Sequence, residues 1–164
     1  MLEKEAVKER REFNRELYDK IFSITGKPKK ILDIGCGLNP VYFPYRDIEY
    51  IALDKNKEVL KKVKQYFKKN KIKGCVVNSD ILNFDFKIGA DVCFAFKVFD
   101  YLDRRDVKLV LDKINADYIV VSFATRTVTG KRMREPRREW FEKIVKIHKV
   151  LRFHNEIFYI IKKV

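Results

Sequence analysis

The chain has 164 residues, 46% of them apolar, and a formal net charge of +14. That length holds one domain with a real core, and the apolar content excludes a disordered chain. No stretch is long and apolar enough to span a bilayer, and residues 1–5 lack the apolar run of a secretory leader.

The three cysteines, Cys36, Cys75 and Cys93, lie in or beside apolar strands and form no CxxC pair. A disulfide framework and a metal site are therefore not expected, and a reducing cytoplasm is the expected compartment. The positive charge favours polyanionic partners and salt-sensitive association. Abundant Lys and Glu also describe a hyperthermophile surface, and the reading keeps both causes.

Residues 2–24 carry Leu2, Ala6, Phe13, Leu17 and Ile21 at helical spacing, which predicts an amphipathic helix. Gly26-Lys27-Pro28 ends it. Residues 30–34 form a first strand, and Asn39-Pro40 allows only a short helix before a second strand that closes at Asp54. A helix follows over 58–70, with Val59, Leu60, Val63 and Phe67 as its buried stripe. Strands are predicted over 74–78, 91–96 and 118–123, with a helix over 104–114 carrying Val107, Leu109, Val110 and Leu111. A basic segment runs from Ala124 to Arg138, and Pro136 is placed to start a helix bearing Trp140, Phe141, Ile144 and Val145. Residues 150–161 read as a closing hairpin turning at Asn155-Glu156.

Strands alternating with helices imply an α/β fold: a mainly parallel, seven-stranded sheet with helices on both faces and a C-terminal antiparallel hairpin. Residues 1–25 are assigned to an N-terminal helix and 26–164 to a single domain.

The chemistry concentrates in Asp33-Ile34-Gly35-Cys36-Gly37-Leu38-Asn39-Pro40. An apolar strand enters an acid and two closely spaced glycines, which allow a sharp turn and close backbone approach to a ligand. Asp54, at the tip of the next strand, stands where ribose hydroxyls are gripped in nucleotide-binding folds. Together these features point to an S-adenosylmethionine pocket in a Rossmann-like class I methyltransferase. A nicotinamide fold is the competing reading, but it prefers a third glycine where this chain has Pro40. In this pocket Asp33, Gly35 and Gly37, with Cys36 and Asn39, are expected along the methionine end, and Asp54 and Lys55 at the ribose. Asp80 and Ile81 are expected at the adenine, although Asp80 in a plain turn fits the sequence nearly as well. Phe96 and Lys97 would face both donor and substrate.

Three blocks resemble the aminoglycoside-resistance 16S ribosomal RNA methyltransferases, which modify N7 of a guanine. The first is Asp33 to Pro40, with its uncommon Leu-Asn-Pro extension. The second, Lys97-Val98-Phe99-Asp100-Tyr101-Leu102-Asp103, is similar to the family's Lys-x-Leu-Pro-x-Leu-Glu. The third runs Val121-Ser122-Phe123-Ala124-Thr125-Arg126-Thr127, then Gly130-Lys131-Arg132-Met133, then Trp140-Phe141. It matches the family's Ser-Phe-Pro-Thr-Arg-Ser, basic turn, Met and Trp-Phe. The chain departs from the pattern at Asp100 and Ala124, where the family has Pro, and at Thr129, where it has Gly. The family also carries a sizeable helical N-terminal domain, where one helix is read here.

The resemblance implies a methyl acceptor in RNA, most directly ribosomal RNA or the small ribosomal subunit. Guanine N7 has an in-plane lone pair, so positioning replaces a general base. Arg126 and Lys131 are the expected substrate-positioning residues. Arg126, Lys131, Arg132, Arg134, Arg137 and Arg138 are the expected RNA contacts. Trp140 is read as core packing before base stacking, the lysines of 58–70 as solubilising, and His148 and His154 as remote from the cofactor edge. Two alternatives stay open: a small-molecule or protein methyltransferase, and a non-catalytic RNA-binding module with a vestigial pocket.

Overall fold

The computed structural model describes residues 2–127 and 129–164, with side chains described from residue 11 onward. Among the described residues thirteen elements follow one another. They run α1 (Leu2–Thr25), β1 (Lys30–Ile34), α2 (Asn39–Tyr42), β2 (Glu49–Asp54), α3 (Lys57–Asn70), β3 (Gly74–Asn78) and β4 (Ala90–Phe96). A 3₁₀ turn (Phe99–Tyr101) precedes α4 (Arg104–Lys113), β5 (Ala116–Ala124), α5 (Glu139–Ile144), β6 (Lys149–Phe153) and β7 (Glu156–Lys162).

The strands form one sheet in the order β3-β2-β1-β4-β5-β7-β6. The β1–β2, β1–β4, β2–β3 and β4–β5 ladders are parallel, and β7 runs antiparallel to both β5 and β6. Strand order reverses between β1 and β4, which opens a crevice at their carboxyl ends.

Side-chain alternation divides β1 between two cores. Ile31 faces the layer built by Leu17, Tyr18, Ile21 and Phe22 of α1 and Leu60, Val63 and Phe67 of α3. Leu32 and Ile34 face Val107, Val110 and Leu111 of α4 and Phe141 of α5. The second half of α1 is thus part of the main core. Asn56 caps α3, accepting from the backbone N–H of Glu58 and Val59. That cap begins α3 at Lys57, one residue before the sequence expectation.

Some expectations shift. Leu109 is 55% exposed on the outer face of α4, and Phe13 is 48% exposed, lying against the rings of Phe153 and His154. Pro136 does not begin the last helix: α5 starts at Glu139 after the N-cap Arg138, and Val145 is its C-cap. Cys75 is exposed because β3 is an edge strand. Among the described residues no helix is long and apolar enough to cross a membrane, and no group of three or more His, Cys, Asp or Glu is arranged to hold a metal ion.

Candidate active site

The loop after β1 turns through two left-handed glycines, Gly35 at φ 62° and Gly37 at φ 52°. A Cβ on Gly35 would stand 2.7 Å from Val98 Cγ2, so the backbone can pass beside the β4 loop only as glycine. A Cβ on Gly37 would meet nothing within 4 Å, so that turn borders open space. Ile81 lies on the same side of Gly35, its Cδ1 3.6 Å from the same imagined Cβ. Cys36 is buried and its backbone N–H donates to Leu53. Burial pushes its thiol far up, so it is a core residue and not a nucleophile.

Asp54 ties two loops together. Its Oδ2 accepts from Gly37 N at 2.9 Å and its Oδ1 from Asn56 N at 2.8 Å. Each carboxylate oxygen keeps acceptor capacity. Lys55 beside it is exposed. Asp80 is exposed and accepts from Leu82 N at 2.9 Å, the turn geometry that the sequence left open, while Ile81 is half-buried.

Asp33 is fully buried. Its Oδ2 accepts from the Tyr50 hydroxyl at 2.5 Å, and its Oδ1 has no hydrogen-bond partner among the described residues. Burial raises its carboxyl to about 7, against the lowering effect of Tyr50 and Asn39, and the Asp54 charge adds to the rise. A carboxyl raised in the folded state favours folding below its unfolded value and loses that contribution as pH climbs toward the folded one. Wild type is therefore expected to lose on the order of 2 kcal/mol between pH 5 and 8 relative to Asp33→Asn. Denaturant titrations of both proteins check this, and parallel pH profiles would refute it.

At the carboxyl end of β4, Lys97 takes a left-handed conformation (φ 54°), unusual outside glycine. Its backbone N–H reaches the Ser122 carbonyl at 3.0 Å and the Ser122 hydroxyl at 3.1 Å. That hydroxyl donates to Glu156 Oε1 at 2.9 Å, and Lys97 Nζ stands 4.0 Å from the same oxygen. Phe96 is buried, stacked on Phe94 at 4.7 Å and meeting Phe158 edge-on.

The basic segment doubles back on itself. Thr127 N donates to Lys131 O, Met133 N to Thr125 O, and Arg126 bridges Arg132. Arg126 fastens this flap: its Nε donates to Asn155 Oδ1 at 2.8 Å and its Nη1 to Gly130 O at 3.1 Å. Lys131, Arg132 and Arg134 are exposed and form no ion pair among the described residues. Arg137 instead pairs with Glu142 at 2.7 Å. The Arg138 side chain is only 12% exposed. It donates to both Asp100 oxygens, to Ala124 O and to Pro136 O, and lies over the Phe123 ring. Its guanidinium is thus engaged inside the protein. Trp140 packs edge-on to Phe123 and Phe141, with Arg104 over its ring.

Because β7 is antiparallel to β5, the β6–β7 turn returns to the carboxyl edge. His154 therefore lies beside the flap and not remote from it. With Arg126, Arg132 and Arg152 it lines a cavity of about 280 Å³. Ser122, Glu156, Arg152 and His154 were missing from the sequence-derived site. Ser122 alone had a signal, as part of the third block.

The model of the ribosomal RNA methyltransferase (FmrO) family matches residues 1–148. The chain belongs to the FmrO ribosomal RNA methyltransferase family. A curated relative, the 16S rRNA (guanine(1405)-N(7))-methyltransferase of Proteus mirabilis, is 29% identical over 164 residues, covering 90% of this chain and 58% of that protein. The structure of the 16S rRNA methylase RmtB superposes with a TM-score of 0.79 at 27% identity, covering 96% of this chain and 64% of RmtB. The 16S rRNA methylase ArmA gives a TM-score of 0.73 at 26% identity, covering 91% of this chain and 81% of ArmA. The chain thus spans a little over half the length of the Proteus relative.

Proposed function

We propose that this chain transfers a methyl group from S-adenosylmethionine to N7 of a guanine in ribosomal RNA. The observation that carries the reading is the meeting, on one sheet edge, of the Gly35–Gly37 turn, Asp54 and the exposed cations of the flap. The activity for which the Proteus relative is named supports the same acceptor atom.

The residues fit the donor. Among the described residues one buried oxygen of Asp33 has no partner, Gly37 borders open space, and Asp54 retains lone pairs on both oxygens. In this reading Asp33, Gly35, Gly37 and Asn39 hold the methionine end, with Cys36 supplying backbone only. Asp54 accepts from the ribose hydroxyls, Lys55 lies at its rim, and Asp80 and Ile81 meet the adenine. Phe96 supports the floor from beneath and Lys97 faces the acceptor. When bound, the donor supplies a methyl group activated by positive sulfur.

The protein's part is positioning. N7 attacks through its own lone pair, so no side chain has to remove a proton. Arg126 sets the flap against the β6–β7 turn, and Lys131, Arg132 and Arg134 present charge to phosphates. Arg137 and Arg138 shape the flap's base through their internal partners. A base inside a helix must leave its stack to reach the donor. Residues 26–164 act as one methyltransferase domain with α1 packed on it. A ribosomal substrate supports a cytoplasmic location.

Incubation with the methyl donor and small ribosomal subunits or total RNA, followed by nucleoside mass spectrometry, tests the reading. The expected product is 7-methylguanosine. Methyl groups found only on protein or small molecules overturn it in favour of a small-molecule or protein methyltransferase. No heat on donor titration favours an RNA-binding module.

A further inference from the structure

We propose that Glu156 recognises the Watson–Crick edge of the acceptor guanine, with Lys97 beside it for the O6 oxygen. This rests on the guanine-N7 reading above and names the group that selects the base. Glu156 opens β7 opposite Ala124, at the carboxyl end of β5. The Lys97 ammonium is 4.0 Å from its Oε1. The next residue, Val98, approaches the Gly35 turn as closely as a glycine permits. Glu156 is therefore contiguous with the donor crevice through Lys97 and Val98.

Its carboxylate is held for a partner. Ser122, fully buried, donates its hydroxyl to Oε1 and is itself anchored by Lys97 N. Oε2 accepts no hydrogen bond among the described residues, and the side chain is 26% exposed. One oxygen is fixed and the other is directed by that constraint, which limits the rotamer entropy lost on binding.

Guanine presents two adjacent donors, N1–H and the N2 amino group, and a carboxylate offers two adjacent acceptors. Adenine presents an acceptor at N1, which meets the carboxylate unfavourably. O6 lies next to N1, where a neighbouring ammonium donates. This arrangement engages the edge opposite N7 and leaves N7 open. During transfer the N7 lone pair forms the new N–C bond while the S–C bonding pair leaves with sulfur as a neutral thioether. No proton moves, and the guanine ring becomes cationic. A carboxylate against N1–H and N2–H then interacts more strongly with the methylated ring than with the neutral one.

The test uses the full chain saturated with S-adenosylhomocysteine, titrated with guanosine, inosine and 1-methylguanosine 5′-monophosphates and followed by NMR. The unaltered protein is expected to bind the guanosine nucleotide about tenfold more tightly than the inosine one, which lacks the N2 amino group. It should not bind the 1-methylguanosine nucleotide measurably. In Glu156→Gln the guanosine-to-inosine ratio should fall to near one with S-adenosylhomocysteine affinity unchanged. A ratio that survives Glu156→Gln overturns the proposal. So does 1-methylguanosine binding equal to guanosine in the unaltered protein, a result that needs no variant to fold. Calorimetry with S-adenosylhomocysteine, read first, separates the two levels. Heat without base discrimination sinks the Glu156 assignment alone, and no heat sinks the methyltransferase reading and this one with it.

Discussion

Asp54→Ala is expected to weaken S-adenosylhomocysteine binding by about 100-fold, the loss of two hydrogen bonds to a charged acceptor. The same change removes the acceptor that ties Gly37 N to Asn56 N. The loops on both sides of the crevice then lose their common anchor, which adds to the direct loss. Asp54→Asn keeps one acceptor oxygen and should fall between wild type and the alanine variant. Calorimetric titration of the three proteins measures the series, with denaturant midpoints as the control for folding. Equal affinities in all three would show that Asp54 faces something other than a ribose.

The second large effect concerns RNA. Reversing Lys131, Arg132 and Arg134 together to Glu should reduce affinity for small-subunit RNA by about 100-fold at moderate salt. Three lost phosphate contacts flatten the dependence of log affinity on log salt by about 2 to 3. Donor affinity should not change, because these side chains lie on the flap and outside the Gly35–Asp54 crevice. Reversing Arg138 would be a poor substitute. Its guanidinium pairs with Asp100 and the Ala124 carbonyl, so that change would damage the flap's base and confound folding with binding. Filter binding across a salt series reads both quantities. An unchanged slope would place the RNA on another face.

The strand-tip half of the candidate site was legible in the sequence, and the flap half was legible only in part. Asp33, Gly35, Gly37 and Asp54 each sit at a strand tip, and the grammar of an acid or a glycine at a strand tip is local. The flap side depends on partners far apart in the chain. Ser122 meets Glu156 across 34 residues, and only the β5–β7 register brings them together. His154 was misplaced for the same reason, because an antiparallel return carries a hairpin turn to the edge opposite the one its distance along the chain implies. The run of arginines from 132 to 138 looked uniform as text. Packing divides it, since a carboxylate at Asp100 and another at Glu142 take up Arg138 and Arg137 and leave the earlier cations to solvent. Phe96 ends a strand at the crevice, and its buried ring stacks on Phe94 and meets Phe158 edge-on.

The Asp100–Arg138 contact has a wider meaning. Asp100 and Ala124, two positions that stand where the resembled pattern has Pro, both bond to Arg138, one through its carboxylate and the other through its backbone carbonyl. Only the Asp100 contact depends on the side chain, because any residue at 124 would offer the same backbone carbonyl. Losing the Asp100 carboxylate would leave a mostly enclosed guanidinium with backbone carbonyls alone to balance its charge.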